Sequence, residues 1–90
     1  MIVLQTRAFN KITKKLRANQ KNDLDRAVKE IIANPDIGDA KKGDLRGVFV
    51  HKFKMSNQLT LLAYSYEDKT ITLTLLALGT HENFYRDLKQ

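Results

Sequence analysis

Two hydrophobic periods divide the 90-residue chain. In the first third, apolar side chains recur every three or four residues; in the second half they alternate or run together. Ile2 to Gln5 is a short β-prone stretch. From Thr6 the period lengthens. Phe9, Ile12 and Leu16 fall at i, i+3 and i+7, which predicts an amphipathic helix. Asn19 is placed to cap a second helix, in which Leu24, Ala27, Val28, Ile31 and Ile32 keep one face apolar. Asn34-Pro35 stops it, because a residue before proline is pushed out of the helical region. So short a link between two helices predicts an antiparallel helical hairpin. "PDIGDAKKGDLRG", with three glycines, reads as a loop.

The second half changes character. Val48 to Met55, Gln58 to Tyr66 and Thr70 to Leu78 are rich in β-branched, aromatic and leucine residues, and the turn-like "MSNQ" and "YEDKT" separate them. The short "EDK" link predicts that the last two strands are antiparallel neighbours. Gly79 ends the third strand. Thr80 can cap a final short helix, with Glu82 in its first turn, where the helix dipole favours an anion. The order β, α, α, β, β, β, α predicts a small α+β domain spanning residues 1–90. In it the helical hairpin packs on one face of a mainly antiparallel sheet.

Composition narrows the class. The apolar fraction of 42% is ordinary for a globular chain. There is no cysteine, so neither a disulfide framework nor a thiolate zinc site is available. No apolar run approaches the roughly 18 residues of a membrane span. "MIVLQTRAF" lacks the pattern of a secretory signal, so the expectation is a cytoplasmic protein. Charge is unevenly spread. Arg7, Lys11, Lys14, Lys15, Arg17 and Lys21 carry no acid among them, so the whole net charge of +6 sits in residues 7–21. Such a cluster attracts a polyanion or an acidic protein. The plain alternative is a solvated helix face.

Alternation in "VFVHKFKM" puts Val48, Val50, Lys52 and Lys54 on one sheet face and Phe49, His51, Phe53 and Met55 on the other. Two lysines at mid-strand mark either an exposed face or a basic surface that holds phosphate. His51, on the apolar side, is expected to be a satisfied structural residue.

The element order, the "KKGDLRG" segment before the basic strand, "HKFK" itself and the closing "LGTHENFYRDLK" together resemble the RelE/ParE superfamily of bacterial toxins. The resemblance covers nearly the whole chain and is strongest to its ParE-like toxin group. It implies the toxin of a type II toxin–antitoxin pair, silenced by a cognate antitoxin whose acidic, partly disordered tail wraps it. The basic residues Lys11, Lys14, Lys15 and Arg17 would meet that partner. No metal and no cofactor is implied.

The superfamily divides in mechanism. RelE-like members cut mRNA in the ribosome, and ParE-like members poison DNA gyrase without catalysis. Metal-free RNA cleavage needs a base for the 2′-hydroxyl, cations for the phosphorane and an acid for the leaving 5′-oxygen. Lys52 and Lys54 match the basic-strand positions of RelE-type members. His81 matches the position after the last strand, and Tyr85 the terminal aromatic. At i and i+4, His81 and Tyr85 share a face if their segment is helical. Arg46, in the preceding loop, is suited to pair with a phosphate. One departure stands out. Many RelE-type nucleases carry an arginine on the strand after the basic one, and here Thr60 falls at about that place. The gyrase alternative therefore stays open, with the hairpin and residues Arg86 to Gln90 as its binding surface.

Overall fold

The computed structural model describes residues 1–80 and Phe84. Strand β1 (Ile2–Gln5) leads into helices α1 (Arg7–Thr13) and α2 (Ala18–Ala33). A two-residue strand β2 (Asp39–Ala40) and one 3-10 turn (Gly43–Leu45) follow. Then come β3 (Phe49–Met55), β4 (Gln58–Glu67) and β5 (Thr72–Gly79). The sheet order is β1-β5-β4-β3-β2, with β1 parallel to β5 and the other neighbours antiparallel. This is the expected α+β arrangement. The "PDIGDAKKGDLRG" segment, expected to be loop, adds β2 as a short edge strand.

Several boundaries follow from local chemistry. Thr6 caps α1, its hydroxyl accepting from the Phe9 N–H at 3.2 Å. The same hydroxyl donates to the Leu76 carbonyl at 2.9 Å, while the Thr6 N–H donates to the Leu75 carbonyl at 3.1 Å. The cap of α2 is Arg17, not Asn19: the Gln20 side chain reaches back to the Arg17 N–H at 2.9 Å. Asn19 lies inside the helix, and its amide donates to the Ser56 hydroxyl instead. Asn34 ends α2 outside helical geometry, as Pro35 requires. β5 begins at Thr72 rather than Thr70 because Ile71 still belongs to the turn, at φ 51°.

The helices cover one face of the sheet. There Phe9, Leu24 and Ile31 pack against Leu62, Tyr64, Leu73, Leu75 and Leu78. Each fully buried side chain of this size contributes about 1.5–3 kcal/mol. Tyr64 joins this core to the loop after α2: its hydroxyl donates to the Pro35 carbonyl at 2.7 Å and accepts from the Gly38 N–H at 3.0 Å. Gly38 is required there, since a Cβ would stand 2.8 Å from that hydroxyl. Burial pushes the Tyr64 phenol above its ordinary pKa; the Gly38 hydrogen bond works against this and the Asp36 carboxylate reinforces it.

His51 is on the helix side, as alternation requires, but it is not satisfied. Its Nε2 is buried with no hydrogen-bond partner among the described residues. The polar group in range is the half-exposed Glu30 carboxylate on α2, at 4.0 Å, beyond hydrogen-bond reach. No described helix is long and apolar enough to cross a membrane.

Candidate functional site

The face turned away from the helices is built by the hairpin of β3 and β4. Ser56 and Asn57 both have positive φ, 51° and 67°, the geometry of a two-residue primed turn. Such a turn fixes register: Met55 pairs with Gln58, Lys54 with Leu59, Phe53 with Thr60 and Lys52 with Leu61. The Ser56 N–H donates to the Asp23 carboxylate at 2.8 Å, which ties the turn to α2.

Lys52 and Lys54 are therefore exposed side by side on the open face. Among the described residues neither makes an ion pair. Val50, on the same face, is buried with Leu61, Ala63 and Phe84. Phe84 is 2% exposed and its N–H donates to the Thr80 carbonyl at 3.1 Å. The chain beyond β5 is thus brought back over the open face at this residue.

Register corrects the sequence reading of Thr60. It faces the helices, opposite Phe53, and is buried with its hydroxyl bonded to the Gln58 carbonyl. The positions beside the two lysines are Leu59 and Leu61. Both are apolar, so the described part of β4 supplies no cation to the open face. Sequence could have found this. With "SN" as a two-residue turn, counting outward pairs Lys52 with Leu61.

Arg46 is exposed, just past the 3-10 turn, between Gly43 at φ 66° and Gly47 at φ 88°. Its neighbour Leu45 lines a cavity of about 450 Å³ with Val48, Leu76, Ala77 and Phe84. Arg46 itself is not part of that lining. Lys11, Lys14, Lys15 and Arg17 are exposed along α1 and the link to α2, as expected. His81 and Tyr85 lie outside the described residues, as do Glu82 and residues 86–90. The structure brings Lys52 and Lys54 together, and leaves His51, the described histidine, on the other face of the sheet.

A bulge interrupts the ladder between the interior strands β4 and β5. Ala63 pairs with Ala77 and Tyr64 with Leu75, leaving Leu76 unpaired. Its carbonyl is the one that Thr6 binds.

Residues 3–89 match the family described as ParE-like toxin of type II bacterial toxin-antitoxin system. No curated protein sequence matches the chain. Among solved structures, the intact Escherichia coli RelBE toxin–antitoxin complex contains a chain similar at TM-score 0.72 and 18% identity, covering 90% of this chain and 96% of that one. An arginine-to-alanine double variant of E. coli RelE in the free state gives TM-score 0.74 at 17% identity, over 97% of this chain and 87% of that one. Conserved hypothetical protein HP0892 from Helicobacter pylori gives 0.54 at 17%, over 90% and 94%. At these identities the structures establish a shared fold.

Proposed function

The chain belongs to the ParE-like toxin family of type II bacterial toxin–antitoxin systems, and from that premise we propose that it arrests growth by cutting mRNA on the ribosome until a cognate antitoxin silences it. The observation that carries this reading is the exposed Lys52–Lys54 pair, unpaired among the described residues, on the open face of the sheet. Two ammonium groups there can hold a phosphate and neutralise charge as a phosphorane forms. In the reaction the 2′-oxygen bonds to the adjacent phosphorus and the bond to the 5′-oxygen breaks. One proton leaves the 2′-hydroxyl and one reaches the leaving oxygen. His81 and Tyr85 are the candidates for moving those protons, with Arg46 as a further phosphate ligand. The chemistry calls for no metal or cofactor. The site of action would be the cytoplasm.

The antitoxin reading is supported by the family and by the similarity to a toxin chain captured in an intact toxin–antitoxin complex. The cationic run of residues 7–21 suits an acidic partner.

One observation favours gyrase poisoning instead. Leu59 and Leu61, not a cation, flank the lysine pair, which makes the face a better binding surface than a charge-stabilising one. A paired assay separates the two. Toxin freed from its partner is added to a reconstituted translation reaction, with mRNA ends mapped by primer extension, and to a gyrase supercoiling reaction. New ends that require translation and vanish in His81→Ala and Tyr85→Ala support cleavage. Intact mRNA with blocked supercoiling overturns it.

A further inference from the structure

Resting on the cleavage reading above, we propose that Asp23 of α2, seconded by Asn19, is a positioning residue: by holding the Ser56 N–H it sets where Lys54 stands. The tip of the β3–β4 hairpin needs such a tie. β2 reaches β3 only at Phe49 and Val50, and β5 meets β4 only from Leu61 onward. Lys52 to Met55 and Gln58 to Thr60 therefore share a ladder only between themselves, Lys52 with Leu61 apart, among the described strands. Lys54, level with Leu59, stands two residues past Leu61, roughly 7 Å at the rise of a strand. A two-stranded ribbon is marginal in water and twists more than a wide sheet. Phe53 and Met55 rest on the helix-side core, but apolar contact is non-directional and does not fix the tip's aim.

Sequence spacing builds the tie. Asn19, Asp23 and Arg26 fall at i, i+4 and i+7, one polar stripe of α2 beside the apolar stripe of Leu24, Ala27 and Ile31. Asp23 Oδ2 accepts from the Ser56 N–H at 2.8 Å, while its Oδ1 faces Arg26 Nη1 at 3.5 Å. The Asn19 amide donates to the Ser56 hydroxyl at 2.9 Å. In a two-residue primed turn the first residue's N–H is not used by the ladder, so Asp23 takes a donor otherwise left to water. A carboxylate acceptor makes this the stronger, charge-assisted kind of bond.

The consequence falls on one lysine of the pair. Ser56 is two residues from Lys54, so a tip released from α2 carries that ammonium away from a phosphate the pair holds. Lys52 is level with Leu61, which also pairs with Gly79 of β5, so three strands anchor it without the tie. Catalysis by fixed charge is sensitive to such shifts: a misplacement of about 1 Å can cost on the order of a hundredfold in rate. The two lysines therefore differ in their dependence on Asp23.

Single-turnover cleavage of mRNA on translating ribosomes tests this, alongside amide hydrogen exchange of the free toxin by NMR. Asp23→Ala lowers the rate at saturating toxin at least about tenfold, leaves the half-saturating concentration within about threefold, and speeds exchange of the Ser56 amide. Asp23→Asn, whose amide oxygen can still accept from Ser56, keeps the rate within about threefold. In a Lys54→Ala background Asp23→Ala costs no more than about twofold further, whereas in a Lys52→Ala background it keeps its full cost. A wild-type rate in Asp23→Ala, an Asp23→Asn as slow as Asp23→Ala, or an equal cost in the two lysine backgrounds overturns the positioning role and leaves the cleavage reading untouched. Should Asp23→Ala fail to fold, Asn19→Ala decides in its place: a loss of about threefold or more in the saturated rate, absent in the Lys54→Ala background, upholds the role, and an unchanged rate overturns it. A wild-type toxin that cuts no mRNA overturns the cleavage reading itself, and the positioning role with it.

Discussion

On the helix-covered face of the sheet, Phe9, Leu24 and Ile31 meet Leu62, Tyr64, Leu73 and Leu75 in one continuous core. On the opposite face, among the described residues, the buried apolar side chains are a patch of Val50, Leu61, Ala63 and the Phe84 ring, with Lys52 and Lys54 exposed on the same face. The same strands supply both, through alternate residues. Stability and the proposed action thereby fall on opposite sides of three strands. A change of one residue in position changes which of the two it serves.

Substitutions can break this contrast in order of size. Ile31→Ala opens a cavity in the closed core and is expected to cost about 3–4 kcal/mol in urea unfolding. Phe84→Ala removes a buried ring from the smaller of the two apolar clusters and is expected to cost about 2 kcal/mol. Equal losses from the two would show that the faces carry stability alike. Tyr64→Phe removes the hydroxyl that joins Pro35 to Gly38 and is expected to cost about 1–2 kcal/mol.

The same tyrosine sharpens the contrast through pH. Its folded pKa is raised, so the unfolded chain loses the phenolic proton first as pH rises past about 10. The stability this burial supplies is complete below that pH and is lost as pH climbs toward the folded pKa. The thermal midpoint of the wild type should therefore fall more steeply above about pH 10 than that of Tyr64→Phe. Parallel curves would contradict a raised folded pKa.

His51→Leu works in the other direction. It removes from the covered face a buried nitrogen that has no hydrogen-bond partner among the described residues, and is expected to stabilise by about 1 kcal/mol. A destabilised variant would mean that His51 has a partner after all. Smallest in stability is the Lys52→Ala, Lys54→Ala double variant, expected to stay within about 0.5 kcal/mol of wild type while abolishing growth arrest. A folded double variant that still arrests growth would remove the lysines from the toxic surface.

Much of this layout was legible in the sequence. The 3.6-residue period of Leu24, Ala27 and Ile31 predicted the buried face of α2, and the alternation of β3 separated Lys52 and Lys54 from Phe49 and Phe53. What escaped was set by register and by side chains acting at a distance. Thr60 was placed by counting from a family pattern, whereas the two-residue turn at Ser56-Asn57 turns it inward. Gln20, reaching back, moved the α2 cap to Arg17. The orphan nitrogen of His51 depends on where α2 presents Glu30, which no local pattern encodes. Neither does the bulge at Leu76, whose carbonyl bonds to Thr6, 70 residues away in sequence.

The parallel pairing of β1 with β5 has a consequence in time. Ile2 meets Thr72 in this ladder, so β1 waits for β5. Closing so long a loop precedes any reward from the contact, which slows folding relative to the local β3–β4 hairpin. During synthesis from the N-terminus, the Met1–Leu4 segment emerges with no neighbour until β5 has also left the ribosome. A chain interrupted before Thr72 leaves that apolar strand bare, inviting aggregation and proteolysis. The sheet order itself makes synthesis through β5 a condition for a finished sheet.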